Sequence, residues 1–261
     1  MFLAIDVGNS QTTIGILEDG VVGRRWRLKT DRLDTSDELD AALRSFLALD
    51  GIALAGIEAA AVASVVPVLT DMWRAALRHA LGEEPFIVSA AKVRGIEIAM
   101  PYPTQIGADR IADAVEARAT YGSPAIVVDF GTATNIDVVD SQGRYRGGCI
   151  APGLMLSAAA LFERAAKLAS IPIEVPPAAI GDTTEHALQA GLVLGVAAQA
   201  EGLVARIKSQ LAAEEGTSEL EHCPVIATGG LSHIIEQATD VFDAIDVDLT
   251  LRGIWRIWQA R

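Results

Sequence analysis

Cysteine is almost absent from this 261-residue chain, which carries only Cys149 and Cys223. Two thiols cannot staple a chain of this size and show no paired metal-ligand spacing, which points to a reducing compartment. Histidine is equally sparse. His79, His186, His222 and His233 follow no His-Glu-x-x-His or other paired pattern, so a zinc centre is not expected. Basic charge is short as well: 21 Lys and Arg stand against 34 Asp and Glu, a formal net charge of −13. No Lys/Arg cluster offsets that field, so nucleic acid and anionic membrane surfaces are excluded as partners. Apolar runs such as Ala59 to Leu69 fall short of the ~20 residues needed to cross a bilayer. The N-terminus reaches Asp6 without a basic stretch, so no signal peptide is expected and the cytoplasm is the expected compartment. The P-loop pattern, the His-Arg-Asp loop of protein kinases and the Gly-x-Ser-x-Gly elbow of hydrolases are missing too.

What is present is an apolar majority, 51% of residues, enough for a substantial core. With polyanionic partners excluded by the acidic balance, a small partner is expected. If that partner is an anion, it must be held by backbone N–H groups, hydroxyls and a bound cation rather than by bulk charge.

Phe2 to Ile5 reads as a buried strand ending at Asp6 and a Gly8 turn, followed by strands Thr12 to Leu17 and Val21 to Leu28 around Glu18-Asp19-Gly20. A hairpin at this point argues against a dinucleotide-binding fold. Thr35 and Glu38 form a capping box ahead of the stripe Leu39, Leu43, Phe46 and Leu47, closed by Gly51. A strand from Ala59, a helix around Leu69 to Leu81 and a strand at Pro85 to Ser89 give β-β-β-α-β-α-β. After a helix from Gly107 to about Tyr121, the opening pattern returns. Ala125 to Val128 ends at Asp129, Gly131 follows, and Thr132 to Val139 with Arg144 to Ile150 forms a second hairpin. The chain reads as two copies of one unit, 1–121 and 122–261. The second copy continues through a helix from Leu154 to about Ala169 and a long helix from about Thr184 to Ala213, where Gly191 and Gly195 are expected to mark close packing. A short strand then enters Thr228-Gly229-Gly230, and a last helix, Leu249 to Gln259, carries Trp255 and Trp258.

Four constellations could carry chemistry. In Asp6-Val7-Gly8-Asn9-Ser10 with Thr12 and Thr13, the glycine lets backbone N–H groups approach an oxyanion and the side chains add donors. Asp6 is open to two readings, a turn cap or a partner for Mg²⁺ or water at the phosphates. Asp129-Phe130-Gly131-Thr132-Ala133-Thr134 places a second carboxylate and hydroxyls at the matching point, as a clamp around a polyphosphate needs. Gly107-Ala108-Asp109-Arg110 opens a helix. There Asp109 is either a helix-start acid of lowered basicity or a base that orients a hydroxyl, and Arg110 offers a fork to a carboxylate. Asp113 offers Arg110 a local ion pair as the alternative. Thr228-Gly229-Gly230 is either a turn requiring positive φ or bare backbone for an adenine or ribose.

These residues, with Ser64-Val65-Val66-Pro67, Gly147-Gly148, Pro152-Gly153 and Leu249-Thr250-Leu251 with Gly253, resemble the type III pantothenate kinases, in order and over nearly the whole chain. The resemblance implies an α/β fold of duplicated ribonuclease H-like (actin-like ATPase) domains, with mixed sheets flanked by helices. It also implies ATP-dependent phosphorylation of pantothenate to 4′-phosphopantothenate, the first step of coenzyme A synthesis. By the same resemblance Asp109 is the base. Asp6, Val7, Gly8, Asn9, Ser10, Gln11, Thr12, Thr13 and Thr132 bind ATP with Mg²⁺; Met100, Gly107, Ala108, Asp109, Arg110 and Thr184 bind pantothenate. Asp129 ligates a monovalent cation, K⁺ or NH₄⁺, and the substrate site lies at a homodimer interface. Met100 stands where the family usually has tyrosine and Asn135 where it usually has threonine. A kinase for another small hydroxylated substrate, or a non-catalytic ATP-binding regulatory module, are the alternatives.

Overall fold

The fold begins from alternation: β1 (Phe2–Val7) buries Leu3, Ile5 and Val7 on one face and turns back through β2 (Gln11–Glu18) and the largely exposed β3 (Val21–Lys29). This computed structural model describes residues 1–164, 170–220 and 222–261. The capping box forms at α1 (Ser36–Leu49), with Thr35 and Glu38 satisfying each other's backbone N–H groups, worth about 1 kcal/mol. β4 (Ala59–Ser64) leads to α2 (Pro67–Leu81), which starts on proline, where no N–H is needed, and ends on Gly82 at φ +77°. Two short strands, β5 (Phe86–Ile87) and β6 (Glu97–Ile98), precede α3 (Ala108–Tyr121). The first sheet runs β3-β2-β1-β4-β5, with β1 antiparallel to β2 and parallel to β4. Leu39, Leu43 and Leu47 of α1 and Leu69, Trp73 and Leu77 of α2 seal its face at Leu3, Ile5, Val7, Ile14 and Ile16.

The second half repeats the plan strand for strand. β7 (Ala125–Phe130) pairs antiparallel with β8 (Ala133–Val139), which pairs with β9 (Arg144–Pro152). After α4 (Leu154–Arg164) come α5 (Thr184–Gln189), a π-helical turn at Ala190–Leu194 and α6 (Gly195–Glu214). Then follow β10 (Val225–Thr228), α7 (Ser232–Ile235) and β11 (Ala244–Ile245). The strand order in this half is β11-β10-β7-β8-β9, with β10 parallel to β7 as β4 is to β1. The bulge between Ile16 and Leu17 recurs between Val138 and Val139. The helix expected to continue to about Ala169 lies, beyond Arg164, outside the described residues.

Two expectations change. The chain divides into compact units Met1–Ala119 with Asp248–Arg261, and Thr120–Val247. The last helix, α8 (Leu249–Gln259), therefore packs in the first unit rather than with 122–261, because Leu249, Leu251, Ile254 and Ile257 form a buried stripe that runs along β1 and β4. Gly191 and Gly195 do not mark close packing among the described residues. A Cβ at either would meet nothing within 4 Å, and the π-helical turn spans this stretch. By length and composition alone the helix Thr184–Glu214 could cross a membrane. In this structure its Leu192, Val193, Val196, Ala197, Ala200 and Val204 pack into the second unit's core.

Candidate active site

In the first unit, three sequence motifs meet at the carboxyl ends of parallel β1 and β4, where ligands bind in open α/β sheets. Asp6 is half-buried at the end of β1, directly across from Thr13 on β2. Between them Gly8 N–H donates to the Gln11 carbonyl at 3.1 Å, and a Cβ on Gly8 would sit 2.9 Å from that oxygen. Only glycine closes the turn this tightly. Asn9, Ser10 and Gln11 are exposed at its tip. Thr12 differs from its neighbours: it is buried, and its hydroxyl shares a 2.9 Å hydrogen bond with Thr30. It fastens the turn to β3's end, leaving Thr13 as the hydroxyl on the Asp6 side. Sequence reasoning missed Arg32, whose guanidinium donates to Asn9 Oδ1 at 3.3 Å and brings a cation to the turn.

The Ser64–Pro67 segment joins this turn through Val65 N–H, which donates to the Val7 carbonyl at 3.1 Å. Val65 also faces Gly107, where a Cβ would lie 3.1 Å from Val65 Cγ1 and would overlap Asp109 Oδ1. Gly107 is thus a gap left for the carboxylate of Asp109, in the first turn of α3. The Arg110 amide donates to Asp109 Oδ1 at 2.8 Å. Asp109 is half-buried, and that burial pushes its carboxyl above the ordinary value despite the Arg110 amide and guanidinium. The expectation that the helix start lowers its basicity is therefore reversed: desolvation disfavours the charged form more than the local donors favour it. Asp113 is buried and accepts a 2.7 Å bond from the Thr250 hydroxyl. Met100 is half-buried, Ala108 is buried in α3, and Tyr102 is exposed.

In the second unit the equivalent strand end carries Asp129, half-buried and directly across from Asn135. Gly131 N–H donates to the Ala133 carbonyl at 3.0 Å, a turn one residue tighter than that at Gly8. Gly229, at φ +88°, lies against Asp129 and Phe130: a Cβ there would overlap Asp129 Oδ1 and come within 2.7 Å of Phe130 N and C. A Cβ on Gly131 would be 3.5 Å from Asp129 Oδ2. The Asp129 carboxylate is thereby cradled between two glycine backbones. Gly153 N–H donates to the Thr132 carbonyl at 3.2 Å, and Thr132 itself is exposed. Thr184 is exposed at the start of α5, behind the Thr183 cap.

Among the described residues no cluster of three or more His, Cys, Asp and Glu side chains could close around a metal. The donors present suit Mg²⁺, which keeps water and binds through one or two carboxylates plus substrate phosphates. Asp6 beside the bare Gly8 turn fits that role.

The family model for type III pantothenate kinase matches residues 2–206. Over 259 residues the chain is 40% identical to the type III pantothenate kinase of Roseiflexus sp. (strain RS-1), covering 99% of this chain and 98% of that protein. This chain belongs to the type III pantothenate kinase family. It is 38% identical, again over 259 residues, to the family member of Bacillus cytotoxicus, covering 99% and 96% of the two chains. Among solved structures, the activator of 2-hydroxyisocaproyl-CoA dehydratase from Clostridium difficile, with bound ADPNP, superposes with a TM-score of 0.57 at 11% identity, covering 99% and 93%. Component A of the (R)-2-hydroxyglutaryl-CoA dehydratase from Acidaminococcus fermentans gives 0.54 at 14%, covering 98% and 95%. At such identity the likeness is one of fold: the duplicated, mixed-sheet actin-like ATPase architecture. Family membership makes the chain a kinase that uses ATP.

Proposed function

We propose that the chain carries out its family's reaction, transfer of the terminal phosphoryl group of ATP to the hydroxyl of pantothenate in coenzyme A biosynthesis, with Asp109 as the base. The observation that carries the assignment is the Asp109 carboxylate held in the gap at Gly107, with its proton affinity raised by burial. Phosphoryl transfer has a loose transition state, so the main task of the base is to orient the attacking hydroxyl. A carboxylate fixed through one oxygen by the Arg110 amide leaves its other oxygen to accept the hydroxyl proton. Arg110 presents a planar fork to the pantothenate carboxylate. Gly107 and Ala108 give the substrate close approach to backbone and Met100 an apolar wall; Thr184 offers an exposed hydroxyl at the start of α5 in the second unit.

The Asp6–Thr13 turn takes nucleotide phosphate through backbone N–H groups and the Asn9, Ser10 and Thr13 side chains, while Thr12 anchors the turn to Thr30. Thr132 offers an exposed hydroxyl at the matching turn of the second unit. Asp6 would hold Mg²⁺, which would neutralise the phosphate charge. Asp129 in its glycine cradle would hold the monovalent cation, K⁺ or NH₄⁺. Ile150, Met155 and Leu156 are exposed on β9 and α4, which supports a homodimer. The scarcity of cysteine supports a cytoplasmic location.

ADP release by purified protein with ATP, Mg²⁺ and pantothenate, with and without K⁺, tests the proposal. Pantothenate-dependent turnover enhanced by K⁺ is expected. Nucleotide binding by calorimetry without transfer to pantothenate would overturn it in favour of a regulatory module, and transfer to another hydroxylated acid in a substrate panel would reassign the acceptor.

A further inference from the structure

Leu249-Thr250-Leu251 and Gly253 hold no part of the chemistry above, yet they open α8 and lie in the same unit as Asp109. Thr250 Oγ1 donates to Asp113 Oδ1 at 2.7 Å, and the Asp113 side chain is 1% exposed. Gly253 lets the two helices touch backbone to backbone: a Cβ there would overlap the Ala112 carbonyl oxygen and lie 2.5 Å from its carbon. Arg252 Nε donates to Glu116 Oε1 at 3.1 Å, and Arg256 donates to Glu116 Oε2 at 2.7 Å and Oε1 at 3.3 Å. Ala112, Asp113 and Glu116 follow Asp109 by three, four and seven positions. On a helix those spacings share one stripe, so α8 grips the two turns directly behind Asp109 on its own face.

The other side of α8 rests on the strand that returns from the phosphate turn. Leu251 Cδ1 lies 2.7 Å from where a Cβ on Gly15 of β2 would be, and Trp255 covers Gly20. Apolar ridges alone let one helix slide along another at small cost. A glycine notch and buried, directional hydrogen bonds do not, because a shifted register leaves a buried carboxylate without its donor.

We propose that α8 is a positioning element for the reaction, with Thr250 acting through Asp113, and Gly253 acting through Ala112, to fix the axial register of α3 and so the place of the Asp109 carboxylate. The inference rests on Asp109 being the base, and its test separates the two claims. In the full-length protein, Thr250→Val, Thr250→Ser, Arg256→Gln and Asp109→Asn are compared by steady-state kinetics at a temperature where circular dichroism shows each variant folded. A base shifted by an ångström or less costs rate rather than nucleotide affinity. Thr250→Val is therefore expected to lower kcat about tenfold with the KM for ATP within about twofold of wild type. Thr250→Ser restores kcat, and Arg256→Gln lowers it severalfold with the same KM pattern. Wild-type kcat in folded Thr250→Val overturns the inference, as does a joint loss of kcat and ATP KM that serine does not rescue. If Thr250→Val does not fold, Arg256→Gln decides by the same criteria. Wild-type turnover in Asp109→Asn instead refutes the base assignment, whatever the α8 variants do.

Discussion

Replacing Gly229 by alanine tests whether the cradle around Asp129 is as tight as its geometry indicates. At φ +88° an L-residue costs about 1–2 kcal/mol relative to glycine. The added Cβ would also fall 2.7 Å from Phe130 N and C, backbone atoms of the central strand β7, and would overlap Asp129 Oδ1. Those atoms cannot rotate away as a flexible side chain can, so the strand or the Thr228–Gly230 turn must shift, at about 1–3 kcal/mol for overpacking. Together the two effects give a loss of about 2–5 kcal/mol, and for a chain of this size a fall in Tm of roughly 4–20 °C. Gly230 is the internal control. Alanine there meets nothing within 4 Å and needs no left-handed backbone, so Gly230→Ala should stay within about 0.5 kcal/mol of wild type. Thermal denaturation of the two variants side by side measures the difference. Equal midpoints, or Gly229→Ala melting with wild type, would refute the packing argument. Turnover against K⁺ concentration extends the test: displacement of the Asp129 carboxylate raises the K⁺ needed for half-maximal rate in Gly229→Ala alone.

Gly107→Ala drives a Cβ onto Asp109 Oδ1 and to 3.1 Å from Val65 Cγ1; kcat should fall by at least about tenfold, measured by ADP release, with the fold intact by circular dichroism. Asp109→Asn should lower kcat by about 10²-fold or more while raising Tm at neutral pH. The sign follows from the raised carboxyl: its contribution to stability is full below the unfolded-state pKa and is lost as pH rises through the folded-state pKa, so the neutral amide wins near pH 7 and its advantage disappears in acid. In the wild type, kcat should climb with pH through an acid limb set above the usual carboxylate range; a limb at or below that range contradicts the burial argument. Glu116→Ala strands Arg252 and Arg256, whose side chains are 27% and 39% exposed and so partly solvated; a loss of about 3 kcal/mol, the low end for a broken buried pair, is expected in urea unfolding.

Local signals carried most of the architecture. The capping box at Thr35, the glycine after α1 and the repeated strand-Asp-turn pattern each act over a few residues, and each forms as read. What escaped the sequence is long-range. Nothing near Leu249 shows that its helix packs beside β1, since a stripe of apolar residues says which face is buried but not against what. The raised carboxyl of Asp109 was equally hidden, because a helix start is visible in sequence and the atoms that exclude water from it are not. Thr12 and Thr13 look interchangeable as phosphate donors until β2 alternates them to opposite faces and Thr30 takes the first. Thr228-Gly229-Gly230 illustrates the limit from the other side: positive φ at one glycine was legible, while its contact with Asp129 required the parallel pairing of β10 with β7.

The duplication shows how one scaffold comes to hold two different anchors. Each strand places its aspartate on the face opposite Leu3, Ile5 and Val7 or Ile126, Val128 and Phe130, and both aspartates meet a polar residue across the hairpin: Thr13 for Asp6 and Asn135 for Asp129. The turns then diverge. The first runs one residue longer, which exposes Asn9, Ser10 and Gln11 as a rim of donors suited to phosphate. The second is shorter and closed over by Gly153 and Gly229, which leaves a carboxylate flanked by bare backbone, a setting suited to a weakly hydrated cation. A net charge of −13 would repel ATP from a featureless surface. At the first turn that field is offset locally, because Arg32 stands at Asn9; under the proposed function Asp6 and Asp129 would each add a bound cation. Under the proposed function the acidity at Asp6 and at Asp129 would serve cation binding rather than oppose an anionic substrate.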